Sequence, residues 1–435
     1  MLISAEKSLQ VSRQFWESFP ERIREENVKP YTLPDPLKTF DGKEIRTKEE
    51  YLAFRREEVL QFYKDKLYGH IPPPPELFHW ELTREKANAL TGNALRYEIK
   101  VTCATKDHRS VSFPVLIYLP QGSPRRKLPV FVMPNFYGNH TVTPEKDLPV
   151  ADHWLPFQFR GSRFQTREMR ETFRGSDQVP ECDFLRAAEE ALRRGYAVAT
   201  FCYEEMMPDN GYHFEHSIYQ LFHNELDYMS ENRSYGSICA WAWGISRVLD
   251  LLDGLPETSG GKRIVLGHSR LGKTALWAGA NDSRIDLTIS NNSGCCGAKL
   301  FHRNFGENLH LLAYFRPYWF SLGIQEYADR EADLPLDQYD LLGLIAPRNV
   351  YIASGSEDHG ADPKGEFLSA WHAGKIYRLF GLKGLEVPEE FPEAGTTIHN
   401  GVIAYHLRKG GHALTYYDWE RYLDYADLIF ERNRK

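Results

Sequence analysis

Short apolar runs alternate with longer amphipathic stretches through most of this 435-residue chain. The N-terminal part has helical spacing: Glu49–Leu60 repeats apolar positions at helical intervals, and the run Pro72–Pro75 ends it, because proline cannot continue a helix. Residues 96–103 and 112–119 read as strands, the first by strict alternation. Residues 129–133 and 196–203 are short runs of the kind buried on both faces, with a helix over 185–194 between them. A loop carrying many charges is expected from 141 to 181, and a polar, aromatic, irregular loop from 204 to 232. A helix follows over 238–252. Strand and helix alternating in this way predict an α/β fold with a largely parallel sheet and helices on both faces. No repeat or linker divides the chain. It reads as a helical arm over residues 1–90, packed on one catalytic domain over 91–435. A small separate N-terminal domain ending near residue 90 is the alternative.

The sharpest local signal is Arg263-Ile-Val-Leu-Gly-His-Ser-Arg-Leu-Gly-Lys-Thr-Ala-Leu-Trp-Ala-Gly-Ala280. An apolar strand ends at Gly267, Ser269 follows two residues later, and a helix begins at once. That is the layout of an α/β-hydrolase nucleophile turn, which presents a serine hydroxyl beside free helix amides. The fold is therefore expected to be an α/β-hydrolase, a three-layer αβα sandwich. A serine nucleophile needs a base and an orienting carboxylate, in the chain order serine, acid, histidine. Residues 347–362 hold a short β run and then an acidic turn. Asp358 is the expected acid, with Glu357 and Asp362 as alternatives. His412 is the expected base. It follows a strand and the pair Gly410-Gly411, whereas His406 lies within that strand and is expected to be packed or supporting. Arg270 can add a fixed cation where oxyanion charge develops. The turn after residue 133, with Gly138, can supply further amides for the same charge. Lys273 is one helical turn from Ser269 and can reach a polar substrate, unless it is an ordinary surface lysine.

Composition narrows the class. The net charge is -7 and the pI about 6.2, which disfavours a nucleic-acid binder. Arg125-Arg126-Lys127 sits beside Pro and Ser and reads as a solvated turn. No segment reaches transmembrane length, so no membrane partner is expected. Residues 1–10 lack the blocks of a signal peptide. Either the protein stays inside the cell or an export signal has been removed. The six cysteines form no metal-ligand array, and Cys295-Cys296 reads as two buried thiols near the site. No metal or cofactor is expected. The 9 Trp, 24 Tyr and 25 Phe supply rings of the kind that line carbohydrate clefts.

Several motifs together resemble carbohydrate esterase family 15, the glucuronoyl esterases, in its bacterial form. They are Gly267-His-Ser-Arg-Leu-Gly-Lys273, Asn135-Phe-Tyr-Gly-Asn-His140, Trp241-Ala-Trp-Gly244, Ser290-Asn-Asn-Ser-Gly-Cys295, Arg303-Asn-Phe-Gly-Glu307, Leu336-Asp-Gln338, Ala361-Asp-Pro-Lys-Gly-Glu-Phe367 and the stretch from His412 to Trp419. The second glycine of the nucleophile motif comes one position later than in the usual G-x-S-x-G. The resemblance implies hydrolysis of esters of 4-O-methyl-glucuronic acid on xylan, without metal or cofactor, by a secreted or periplasmic protein. A monomer acting on glucuronate-bearing poly- or oligosaccharides is expected. The resemblance also implies Ser269 as nucleophile, His412 as base and Arg270 as oxyanion stabiliser, with Lys273 and Glu307 holding uronate hydroxyls. A plain salt bridge is the alternative for Glu307. Two departures stand out. Asn292 occupies a position where many members carry a catalytic glutamate, so the acid falls on Asp358. Gly360 replaces a tryptophan near the sugar, which is expected to open the site unless Trp319 or another aromatic compensates. Another carbohydrate esterase, such as an acetyl xylan deacetylase, and a non-catalytic carbohydrate-binding protein are the competing functions. A lipase or peptidase fits the polar Arg270, Lys273 and Glu307 less well.

Overall fold

Along the central strands, successive side chains enter different cores. In β4 (Val130–Asn135), Val130 and Val132 join one apolar cluster, while Phe131 and Met133 join a second. β8 (Asn349–Gly355) repeats this, with Val350 and Ile352 on one side and Tyr351 and Ala353 on the other. Side chains alternate across a strand, so a strand apolar at every position must be covered on both faces. The covering layers are helical. On one face lie α2 (Phe184–Arg193) and α8 (Tyr416–Ile429), through residues such as Ala188 and Trp419. On the other lie α3 (Ser237–Gly254), α4 (Arg270–Asn281), α6 (Gln338–Ile345) and α7 (Pro363–Leu379). This is the three-layer α/β-hydrolase sandwich.

The computed structural model describes residues 5–122, 127–151, 167–175, 183–209, 214–222 and 235–431. Among them the sheet has ten strands, in the order β1-β2-β3-β5-β4-β6-β7-β8-β10-β9. β5 (Ala197–Cys202), β4, β6 (Arg263–His268), β7 (Leu287–Asn291), β8 and β10 (Ile403–Arg408) are parallel neighbours. β1 (Leu77–Ala89), β2 (Ala94–Ala104) and β3 (Ser110–Pro120) add an antiparallel meander at one edge, and β9 (Thr397–Ile398) closes the other.

The expected N-terminal arm needs correcting. Residues 5–22 form α1 (Ala5–Arg22), and the chain is helical again over 48–67, as the apolar spacing predicts. Residues 77–89, however, belong to the sheet as β1. That strand is exposed at most positions, so it carries little of the alternation by which a strand is recognised. α1 lies against the short helix α5 (Leu309–Phe315), with Phe15 buried. The described parts of 204–232 also differ from a polar loop. They form short turns that bury Met206, Met207, Phe214, Ile218 and Tyr219. Asn210 and 223–234 lie outside the described residues, as do 152–166 and 176–182 of the loop expected over 141–181, the turn residues Arg125 and Arg126, and Cys182. The other five cysteines are free and buried. No helix among the described residues is long and apolar enough to cross a membrane.

Candidate active site

Four loops leave the same edge of the sheet, from the adjacent parallel strands β6, β7, β8 and β10. They carry Ser269, Asn292, Asp358 and His412 in turn. In open α/β sheets the carboxyl edge is where ligands bind. Here those four residues line one cleft of about 510 Å³, together with Arg270, Lys273, Glu307 and Trp319.

Ser269 sits at φ 57°, ψ -126°, a strained conformation for a non-glycine residue, between the end of β6 and the first turn of α4. The flanking glycines make that turn possible. A Cβ on Gly267 would lie 1.9 Å from the Leu271 carbonyl oxygen. One on Gly272 would lie 2.9 Å from Ser293 Cβ and 3.1 Å from Ser290 Oγ, so the later second glycine lets α4 close on β7. The Ser269 amide donates to the Asn291 carbonyl at 2.9 Å, which ties the turn to the neighbouring strand.

His412 and Asp358 meet: Nδ1 lies 2.6 Å from Oδ2. The Asn292 amide donates to the same Oδ2 at 2.6 Å. Burial works to raise the Asp358 pKa, but the hydrogen bonds from His412 and Asn292 outweigh it and hold the carboxyl below its ordinary value. Asn292 therefore holds Asp358 in place by a direct hydrogen bond. The alternative acids are placed differently. Glu357 is exposed at the rim. Asp362 caps α7 through the Gly365 amide and pairs with Arg303 at 3.1 Å. His406 is buried between Asp418 at 2.8 Å and the Tyr351 hydroxyl at 2.9 Å. His268, a residue singled out by no sequence signal, packs its ring 4.6 Å from that of His412. Burial first, and the neighbouring His412, push its pKa down to about 3, so it stays neutral beside His412.

Arg270 is organised from behind. The buried Asp209 carboxylate accepts from Arg270 Nη1, from Trp319 Nε1 at 2.7 Å, from the Tyr203 hydroxyl at 2.8 Å and from the Tyr318 hydroxyl at 3.0 Å. Burial, and then the adjacent Asp209, drive the Glu204 pKa up strongly, which leaves Asp209 as the counter-charge of Arg270. In sequence Asp209 is only the start of an irregular loop. Its partners are 61 to 110 residues away for three of the four bonds, so no local pattern marks it. Trp319 is buried, with the Arg270 guanidinium 5.3 Å from its ring centre.

Lys273 is buried and donates to the Ser293 carbonyl, so it is no surface lysine. Glu307 is half-buried in the cleft wall, and its carboxylate makes no ion pair among the described residues. Its amide donates to the Gly360 carbonyl at 3.0 Å. Of the amides expected in the turn with Gly138, that of Gly138 itself is corrected. The turn is tight, with φ 105°, but the Gly138 N–H is buried in a 2.8 Å bond to Asn135 Oδ1. It cannot face a substrate carbonyl. Among the described residues no group of three or more His, Cys, Asp or Glu side chains is arranged to hold a metal ion.

A strand–serine turn–helix on this sheet, with a histidine–carboxylate pair in the same cleft, defines an α/β-hydrolase. The comparisons narrow the class. The family model described as "Glucuronyl esterase, fungi" matches residues 168–381. Carbohydrate esterase MZ0003, from an unknown prokaryotic organism, is 38% identical over 93% of this chain and 90% of its own. The structure of a promiscuous CE15 esterase from the marine bacterial metagenome superposes with TM-score 0.80 at 36% identity, covering 93% of this chain and 98% of that one. A glucuronoyl esterase from Solibacter usitatus gives TM-score 0.82 at 34% identity, over 93% and 99%. The chain belongs to carbohydrate esterase family 15, the glucuronoyl esterases.

Proposed function

We propose that this protein hydrolyses esters of glucuronic acid, or its 4-O-methyl ether, carried on a xylan-type saccharide, by way of an acyl-enzyme on Ser269. The observation that carries the reading is the 2.6 Å His412–Asp358 pair in one cleft with Ser269, Arg270 and Lys273. Asp358 fixes Nδ1 of His412, which leaves Nε2 to take the Ser269 proton. Ser269 Oγ attacks the ester carbonyl. The carbonyl electron pair moves onto oxygen, where the Arg270 guanidinium and the first amides of α4 meet the charge. Such a donor is worth about 3–4 kcal/mol in the transition state. When the tetrahedral centre collapses, the alcohol leaves with the proton from His412. Water, deprotonated by the same imidazole, then cleaves the acyl-enzyme and frees the uronic acid. Lys273 and Glu307 bind the sugar hydroxyls from the cleft wall, which suits a hydroxylated acyl group better than a fatty one.

Turnover of methyl and benzyl glucuronate and of acetylated xylan, by wild type and Ser269→Ala, tests the reading. Glucuronate ester hydrolysis that disappears in Ser269→Ala supports it. Acetate release without glucuronate turnover replaces it with a deacetylase. Failure of both, with Ser269 inert to a serine-directed phosphonate, leaves a binding protein.

A further inference from the structure

α1 brings two aromatic rings to the cleft, and the reaction as derived uses neither. Trp16 and Phe19 both line it. Phe19 closes the gap beside Gly360: a Cβ on that glycine would lie 3.8 Å from Phe19 Cζ. Trp16 stands one helical turn further along α1, its ring centre 5.1 Å from that of Phe19 and inclined at 52°. The buried Phe15 supports both rings, at 5.3 Å from Trp16 and 5.7 Å from Phe19. The pair is thus held from below rather than waving in solvent. Trp16 is nevertheless 53% exposed, beside Glu17 and Gln14, which are exposed as well. With Phe19 it makes a contiguous apolar patch at the mouth of a cleft, the kind of surface that marks a ligand groove.

The position of α1 says which part of a substrate meets those rings. The Gly306 amide donates to the Arg22 carbonyl at 3.0 Å, and the Glu307 amide donates to the Gly360 carbonyl at 3.0 Å. The end of α1, Glu307 and Gly360 therefore meet at one wall. Glu307 is the residue that meets the sugar hydroxyls in the reading above, so this wall is the one that faces the uronate. Phe19 is at the Glu307 end. Trp16, three residues back along the helix, is about 4.5 Å further along the axis from that contact.

Resting on the uronate-ester reading above, we infer that Trp16 and Phe19 form a carbohydrate subsite, which stacks on the C–H face of the pyranose to which the uronate is attached. Phe19 borders the uronate itself, and Trp16 meets the next ring outward. Binding energy from that second sugar is remote from the reacting carbonyl and raises selectivity for polymer-borne esters over free ones.

The test compares three substrates: methyl glucuronate, benzyl glucuronate and the methyl ester of a glucuronoxylo-oligosaccharide. Wild type, Trp16→Ala and Phe19→Leu are assayed on each, with thermal midpoints measured to verify folding. Trp16 is exposed, so its removal leaves the core untouched. Wild type is expected to favour the oligosaccharide ester. Trp16→Ala is expected to lower its kcat/KM by about five- to tenfold, the scale of one aromatic contact. Methyl and benzyl glucuronate, which carry no second sugar, stay within about twofold for Trp16→Ala. Phe19→Leu, at the uronate common to all three substrates, lowers each of them by about two- to threefold. A loss confined to benzyl glucuronate would reassign the rings to the alcohol and overturn the inference. For Trp16→Ala, an equal loss on all three substrates, or none, would overturn it too. Absence of wild-type turnover on every uronate ester would instead remove the function on which it rests.

Discussion

Asp209→Asn isolates the counter-charge behind Arg270. The variant keeps the size of the side chain and one acceptor oxygen, which can still serve Trp319 and Tyr318, now 2.7 and 3.0 Å from Asp209 Oδ1. Its amide replaces the oxygen that accepts from Arg270 and from Tyr203, so donor meets donor at Arg270, while the Tyr203 hydroxyl can turn to accept from the amide. Removing one partner of a buried ion pair costs about 3–5 kcal/mol. The guanidinium escapes part of that cost by turning away from the new amide and toward solvent in the cleft. The oxyanion then loses a donor worth about 3–4 kcal/mol, or roughly 10²- to 10³-fold in kcat. KM for methyl glucuronate should change little, because Lys273 and Glu307 are untouched. The assay is steady-state kinetics on Asp209→Asn, Arg270→Ala and the double variant. If Asp209 acts through Arg270, adding Asp209→Asn to Arg270→Ala costs almost nothing more in kcat. An undiminished penalty in that background, or a kcat within about threefold of wild type in the single variant, would refute the reasoning.

Asp358→Asn should lower kcat by about 10³- to 10⁴-fold, because an amide cannot hold the required His412 tautomer. Asn292→Ala removes a hydrogen bond to a charged acceptor, worth about 1.5–3 kcal/mol, and should cost about ten- to a hundredfold; the double variant should be no slower than Asp358→Asn alone. Buried Glu366 accepts from Ser354 Oγ at 2.6 Å and the Gly294 amide at 2.8 Å, and burial pushes its pKa up from 4.5 to about 7. Between those values the folded protein holds a proton that the unfolded chain has released, so this group's contribution to stability falls as pH rises from about 4.5 to 7. Glu366→Gln should therefore be more stable than wild type at about pH 8, by up to about 3 kcal/mol. The advantage should vanish near pH 4.5, as read from urea midpoints. Gly272→Ala should destabilise by about 1–3 kcal/mol through contact with Ser293 and Ser290, measured by thermal unfolding.

The parts of the site that are legible in sequence are those in which a local pattern coincides with the chemistry. The strand, Ser269 and α4 lie within nineteen consecutive residues, and the glycines beside His412 mark its loop. The parallel strands show as unbroken apolar runs because both faces are covered. β1 escapes such a reading because an exposed edge strand needs no such run. Sequence narrows the acid to three carboxylates within six residues, and only tertiary contact separates Asp358 from Asp362, which turns to Arg303. Gly138 reads as an open amide because sequence cannot reveal that Asn135 takes it. Asp209, Trp16 and Phe19 carry no signature of their own. Their surroundings come from chain far away, and Phe19 meets a glycine more than three hundred positions later.

Ser269, Asn292, Asp358 and His412 all hang from neighbouring strands of one hydrogen-bonded slab, while the rings on α1 reach the cleft from outside that slab. The two parts are free to change at different rates. Strand register fixes the reactive groups, and a slip of a single residue would turn each of them to the wrong face. The outer helix is constrained only along its buried side, at Val11 and Phe15, and at its end, where Arg22 meets Gly306. Exchanging its exposed positions is a route to esterases with different sugar preferences and the same reaction, and libraries at Arg13, Gln14, Trp16 and Glu17 would sample that range while sparing the buried side of the helix.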